Sequence, residues 1–409
     1  VRTSCTKGRS TVALSQTPFV SDPEIEAAYR AQRWIVPVTL SAGGGIRRVM
    51  LRGATAVEQL PTCAPVTVNP GARPYYLVRY DEPRYRELAA AAGSMDQRAR
   101  ELLFTDATRL HAAGELADVP YVRLLAAAAE PMDGAVWEAL AREYARLDDL
   151  IRGAPEASAL YAMEVRSLAP YAERARTAAQ PAAFRPANAA AAALAHVGDP
   201  AVGAAFKTDF LLEEAGSPSV PNNRMGWSSA ALAAAAATSD DVDRVEASLR
   251  AHANAQAMAT FTLARVNEIA FLENVGDEGL ARRVLADAMA DRTLTQGAPI
   301  SFLIALGSRH PELAYEYLRT HLDALVKPLP PATQAAVLTD GVAMILWPAA
   351  PPAEFERFLT AALPADPDTV RRAVSIIEQR WKERLALRAA LRELQGSPVA
   401  SGCAARVSC

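Results

Sequence analysis

The sequence is poor in the residues that carry metal and nucleophile chemistry. Its 409 residues include five histidines, His111, His196, His252, His310 and His321, and no two are four positions apart. A zinc-binding H-E-x-x-H helix needs two imidazoles one turn apart, so the chain contains no such helix. Each histidine reads as a surface or core residue rather than a ligand. A Gly-x-Ser-x-Gly elbow and a Walker-type phosphate loop are also missing. An excess of one charge is missing too: 43 basic and 46 acidic residues leave a formal charge of −3. That balance gives no electrostatic handle on nucleic acid or an anionic membrane. No apolar run reaches about 18 residues, the length a membrane span needs; the alanine-rich stretch Ala230–Ala237 is too short. The opening VRTSCTKGRS lacks the apolar core of a signal peptide and an initiator methionine, and the chain reads as a fragment or processed product.

Cysteine is nearly absent. The four present fall as two pairs, Cys5 with Cys63 and Cys403 with Cys409, and neither pair has zinc-ligand spacing with a histidine nearby. Four unconnected thiols are one reading. The other is two disulfides, one stapling the N-terminal region and one closing a small C-terminal ring, in an oxidising compartment. The even count, with each pair kept within one region, favours disulfides and a periplasmic or secreted location; free thiols would suit the cytoplasm.

What is present describes a globular chain of two or three domains, with 51% apolar and 22% charged residues. Residues 1–81 read as short strands of a small β-sandwich. Val12 and Leu14 alternate, as do Trp34, Val36, Val38 and Leu40, then Val49 and Leu51, then Val66 and Val68. Gly43-Gly-Gly45, Gly53, Pro61, Pro65 and Pro70-Gly71 punctuate them. Pro37 inside a strand places that strand at an edge or bulge. Tyr75–Asp81 closes the series as a strand with Tyr76, Val78 and Tyr80 on one face. Asp81-Glu-Pro83 stops it, because proline gives no ladder donor and presets the first turn of a helix.

Residues 82–395 read as helices throughout. Leu102, Leu103, Leu110 and Ala113 recur at helical spacing, and Gly114 terminates that helix. Trp137, Leu140, Tyr144, Leu147 and Ile151 form a second apolar stripe. The closing helix sets Val370, Val374, Ile377, Trp381, Leu385, Leu391 and Leu394 against Arg371, Arg372, Arg380, Lys382, Arg384 and Arg388, which read as a solvated basic face. Ser239 with Asp240-Asp241 reads as a helix N-terminus, not a metal-binding acid cluster. Helices joined by short breaks suit antiparallel pairs stacked as an irregular, HEAT-like superhelix. The fold class is therefore multi-domain and mainly α: a β-sandwich over 1–81, an α-helical superhelix over 82–395, and a loose tail over 396–409.

The joint between the two parts carries a resemblance. Tyr76, Val78, Tyr80 and Asp81, followed by Asp96, Arg98, Leu102, Leu103, Asp106, Ala107, Leu110, Ala113 and Gly114, resemble the "G-x-Y-x-V-x-Y-D" strand and "D-R-x-x-L-L-x-D-A-x-x-L-x-x-A-G" helix of the aminopeptidase N family of zinc aminopeptidases. Trp34-Ile-Val-Pro37-Val38 is similar to that family's "W-x-I-P-V", and Gln16-Thr-Pro-Phe19 to its "Q-x-R-F". The glycine usual before the tyrosine pair is replaced here by Pro74. Among these residues, Asp96 and Asp106 read as capping or cross-linking the sandwich junction.

The resemblance implies a non-catalytic C-terminal region that caps and shapes a peptide-binding cavity. Zinc would sit in a catalytic domain outside this chain, which itself would hold no cofactor and no catalytic residue. Expected partners are peptide substrates and the N-terminal and catalytic domains of the same polypeptide. The family architecture makes Arg372 and Arg380 candidates for pairing with a peptide's terminal carboxylate, since a guanidinium binds that group in bidentate fashion. The alternative is a free-standing helical-repeat scaffold that holds a protein or peptide partner.

Overall fold

Alternating apolar residues become the two faces of strands wherever a neighbouring chain supplies the ladder. The computed structural model describes residues 1–19, 29, 31–71, 76–128, 132–177, isolated positions between 189 and 204, 275–290, 298–342, 347–363 and 366–396. The strands are β1 (Arg2–Thr6), β2 (Arg9–Ser15), β3 (Val36–Ala42), β4 (Gly45–Leu51), β5 (Thr55–Leu60) and β6 (Thr67–Val68). They form two antiparallel three-stranded sheets, β1-β2-β5 and β4-β3-β6. Val12 and Leu14 of β2 and Val38, Leu40 and Ala42 of β3 are buried, together with Leu51, Leu60, Val66 and Val68. Gly43 and Gly44 both have positive φ and turn β3 into β4, the backbone a two-residue hairpin of right-handed twist requires. A disulfide joins Cys5 on β1 to Cys63 beyond β5, with a Cα–Cα distance of 5.5 Å.

Three expectations need correction. Trp34 lies outside the strand that its alternation with Val36, Val38 and Leu40 predicts: β3 starts at Val36, and Trp34 is exposed. Pro37 sits on a central strand, not an edge one. It is tolerated because β6 pairs with β3 only at Leu40–Val68 and Ser41–Thr67, so one flank of the strand has no ladder at Pro37. The described part of the expected strand Tyr75–Asp81, residues 76–81, belongs to neither sheet. Its side chains do alternate, with Val78 and Tyr80 buried and Arg79 exposed. Its backbone groups go elsewhere: the Val78 N–H to a carboxylate, the Asp81 N–H to the Val1 carbonyl at 3.0 Å, and the Arg79 carbonyl to the Val1 amino group at 2.6 Å.

After Asp81 the described chain is helical: α1 (Glu82–Ala91), α2 (Gln97–Ala112), α3 (Asp118–Leu125), α4 (Gly134–Ile151), α5 (Ala157–Thr177), α6 (Glu278–Ala290), α7 (Ala298–Arg309), α8 (Pro311–Leu325), α9 (Pro331–Ala336), α10 (Pro352–Ala362) and α11 (Pro367–Gly396). A single π turn, Val337–Val342, follows α9. Prolines occupy the first turns of α1, α8, α9 and α10, where a missing N–H costs nothing. Together the elements make a mainly α, multi-domain fold with a small N-terminal β region. No described helix is long and apolar enough to cross a membrane.

The chain gathers into two compact units, one of Val1–Glu143 with the chain from Ala389 onward, the other of Tyr144–Arg388. In the first, α1 packs on α3 and α2 on α3. In the second, α6 packs on α7 and α7 on α8. Cys403, Cys409, Tyr75, Ala230–Ala237, His196, His252 and the Ser239–Asp243 helix start lie outside the described residues.

Candidate functional site

In the first unit the motif residues converge on the segment 76–81. Helix α2 begins at Asp96, whose carboxylate accepts from the N–H groups of Arg98 and Ala99, satisfying two of the donors a helix start leaves open. Ten residues on, Asp106 is buried on the same helix and its Oδ2 accepts the Val78 N–H at 2.9 Å. Burial lifts the Asp106 carboxyl to about 6, against the opposing pull of that N–H and of Arg109. The Val68 N–H donates to the Tyr80 hydroxyl at 2.9 Å, tying β6 to the same segment, and burial raises the Tyr80 hydroxyl far above its ordinary value. The Tyr76 hydroxyl reaches the Pro37 carbonyl at 3.4 Å, and burial pushes it to about 12. Asp81 is the N-cap residue of α1 but its side chain makes no capping bond.

The far end of α2 is closed by Gly114 at φ +73°. The Gly114 N–H donates to His111 O and the Glu115 N–H to Leu110 O, the paired bonds of a Schellman ending that needs a left-handed residue at this position. Gln16 does a comparable job for the sandwich. Its side chain brackets Trp34, accepting the Trp34 N–H and donating to the Trp34 carbonyl, both at 2.9 Å, and also donates to the Gly53 carbonyl at 2.8 Å. The motif side chains Gln16, Tyr76, Tyr80, Asp96 and Asp106 are thus ties between backbones. Arg98 is exposed and its guanidinium does not meet Asp106.

These ties frame a groove of about 470 Å³, walled by Phe19, Trp34, Ile35, Pro37 and Tyr76, with Arg79 and Glu115 among its lining residues. Phe19, Trp34 and Ile35 are 51%, 44% and 63% exposed, so its walls are open apolar surface. Arg79 and Glu115 form an ion pair. The groove offers apolar contact and one ion pair, with no acid–base couple. Beside it, α2 holds the one histidine with two carboxylate neighbours among the described residues: His111 Nε2 lies 2.9 Å from Asp118, Nδ1 lies 3.3 Å from Glu143, and the ring stacks on Tyr121. Its partners come from α3 and α4, so local spacing carried no sign of the cluster.

In the second unit, α11 presents its arginines unevenly. Arg372 is exposed and donates to Thr369 at 2.7 Å, within its own helix. Arg380 is half-buried, and burial lowers its pKa against the opposing influence of Asp149 and Glu383. Arg384 is not on a solvated face. It is 8% exposed, donates to the Leu150 carbonyl at 2.9 Å and the Arg152 carbonyl at 2.7 Å, and stands 5.7 Å from the ring centres of both Trp347 and Trp381. A cation is favoured there because the last carbonyls of α4 lack intrahelical partners and carry the negative end of the dipole. Arg388 pairs with the buried Glu156 at 2.9 Å. Sequence reading missed Arg384 because its partners lie 232 to 234 residues away.

Among the described residues no three His, Cys, Asp or Glu side chains are placed to hold a metal ion. A family model described as the ERAP1-like C-terminal domain matches residues 65–381. No curated protein matches the chain.

Proposed function

Since the chain belongs to the ERAP1-like C-terminal domain family, a family of the M1 aminopeptidases, we propose that it is the non-catalytic C-terminal region of a zinc aminopeptidase. The observation that carries this reading is a family match spanning residues 65–381 in a sequence without an H-E-x-x-H helix. In this reading 1–81 is a sandwich domain and 82–395 a HEAT-like superhelix that caps the peptide cavity. The zinc and its general base belong to a preceding domain of the same polypeptide. Peptides meet the helical wall, where Arg372 and Arg380 are the guanidinium candidates for a terminal carboxylate. The Cys5–Cys63 bond supports a periplasmic or secreted parent.

Purified chain should contain no stoichiometric zinc and should not turn over an aminoacyl-anilide; robust turnover would overturn the reading. Fluorescence anisotropy with labelled peptides addresses the cap. Amidation of the peptide's C-terminus should weaken binding to the wild type, and the Arg372→Ala/Arg380→Ala double variant should lose the distinction. Equal binding of acid and amide peptides by the wild type would remove those two residues from the site.

A further inference from the structure

Helix α5 buries an acid that no described residue receives. Glu164 is 0% exposed, and among the described residues neither of its carboxyl oxygens has a hydrogen-bond partner. Among the described residues, the charged groups that act on it are acids as well, Asp148 from α4 and Asp199 from the chain beyond α5. The hydroxyls around it are engaged: Tyr144 of α4 bonds Ser167 of α5 at 3.1 Å, and Tyr161 donates to Asp199 at 3.2 Å. Among the described residues no group of three suitable side chains is assembled to hold a metal there. An ionised carboxylate here would be desolvated, without a hydrogen bond and beside two like charges. A proton removes the repulsion and most of the desolvation cost, and leaves a neutral carboxyl whose missing hydrogen bonds cost far less than a bare charge would.

We propose that Glu164 is a proton-operated latch on the α4–α5 pair: neutral, it lets the two helices close over it, and ionised, it opens them. Burial first, then Asp148, then Asp199, hold its carboxyl at about 9. The folded value lies above the unfolded one of about 4.5, so the folded chain binds the extra proton. The stability this group contributes is full below about 4.5 and is lost progressively as pH rises towards about 9.

The test compares the full chain with Glu164→Gln, which keeps the shape and cannot ionise. Thermal midpoints should coincide near pH ~5, and the variant should melt progressively higher than the wild type as pH rises to ~9. In weakly buffered urea at pH ~7, the wild type should release about one more proton on unfolding than the variant. Parallel midpoint curves together with equal proton release would overturn the proposal. Should Glu164→Gln not fold, Asp148→Asn gives the second reading. Removing that neighbouring charge should lower the folded value of Glu164, so that the loss of stability is smaller and complete at lower pH than in the wild type, and an unmoved profile would sink the latch.

Discussion

Each compact unit buries a carboxyl on a helix, and the two are used in opposite ways. Asp106 in the first unit receives the Val78 N–H and feels Arg109. Glu164 in the second receives no hydrogen bond from the described residues and faces Asp148 and Asp199. Desolvation is the leading cause of the raised value in both. What separates them is whether the acid has a donor to hold. Where it has one, the acid joins a segment outside both sheets to a helix; where it has none, only a proton makes the burial tolerable. The comparison teaches that burial alone does not tell a tie from a titrating group.

The largest way to break this contrast is at Asp106. Asp106→Ala leaves the buried Val78 N–H without an acceptor, and a loss of about 3 kcal/mol is expected for such an orphaned donor. Urea midpoints at constant m-value measure it. Asp106→Asn keeps an acceptor oxygen and should lose far less, which separates the hydrogen bond from the charge. The pH dependence sharpens the point. Because the folded Asp106 value of about 6 exceeds the unfolded 3.8, wild-type stability from this group is full at low pH and declines as pH rises through about 6. Asp106→Asn should flatten that slope, and an unchanged slope would assign it to other groups.

The next effect is in the second unit. Arg384→Met keeps an apolar chain beside Trp347 and Trp381 but removes the two bonds to the carbonyls of Leu150, on the last turn of α4, and Arg152, just beyond it. A loss of about 2 kcal/mol is expected for charge-assisted bonds to an otherwise open helix end, read from the same urea midpoints. A neutral outcome would mean that packing on the tryptophans, not capping, holds Arg384 in place.

These residues also mark where sequence reading succeeds and where it stops. The strands β2 and β3 and the stripes of α4 were legible because burial there follows a local period of two or of 3.6 residues. Residues 76–81 kept the strand alternation but not the ladder, since their backbone partners are a side chain on α2 and the first residue of the chain. Pro37 was judged by a rule for whole strands, while the two-residue β6 leaves its flank open. Arg384 looked like the other arginines of α11 because nothing within the helix distinguishes it; Leu150, Arg152 and Trp347 do, from far away in the sequence. Glu164 and the pairing of His111 with Asp118 and Glu143 were illegible for the same reason. The groove needed several separate stretches of the chain to come together, and its motif residues Gln16, Phe19, Trp34, Pro37, Tyr76 and Val78 gave no sign that they share one wall.

Two smaller effects calibrate the first unit. Gly114 holds φ +73° with nothing within 4 Å of where a Cβ would stand. Gly114→Ala therefore meets no clash, and its expected loss of about 1 kcal/mol is that of forcing a left-handed backbone on an L residue. The smallest effect should come from the groove's ion pair. Arg79 and Glu115 are each 49% exposed at the side chain, so solvent and salt screen their attraction, and fixing two long side chains offsets part of the gain. Arg79→Ala should change stability by less than about 0.5 kcal/mol, and added salt should erase the difference from wild type. A larger loss that persists at high salt would show that the Arg79 stem, by packing along the groove, holds residues 76–81 in its own right, a further tie on that segment beside Asp106, Tyr80 and Val1.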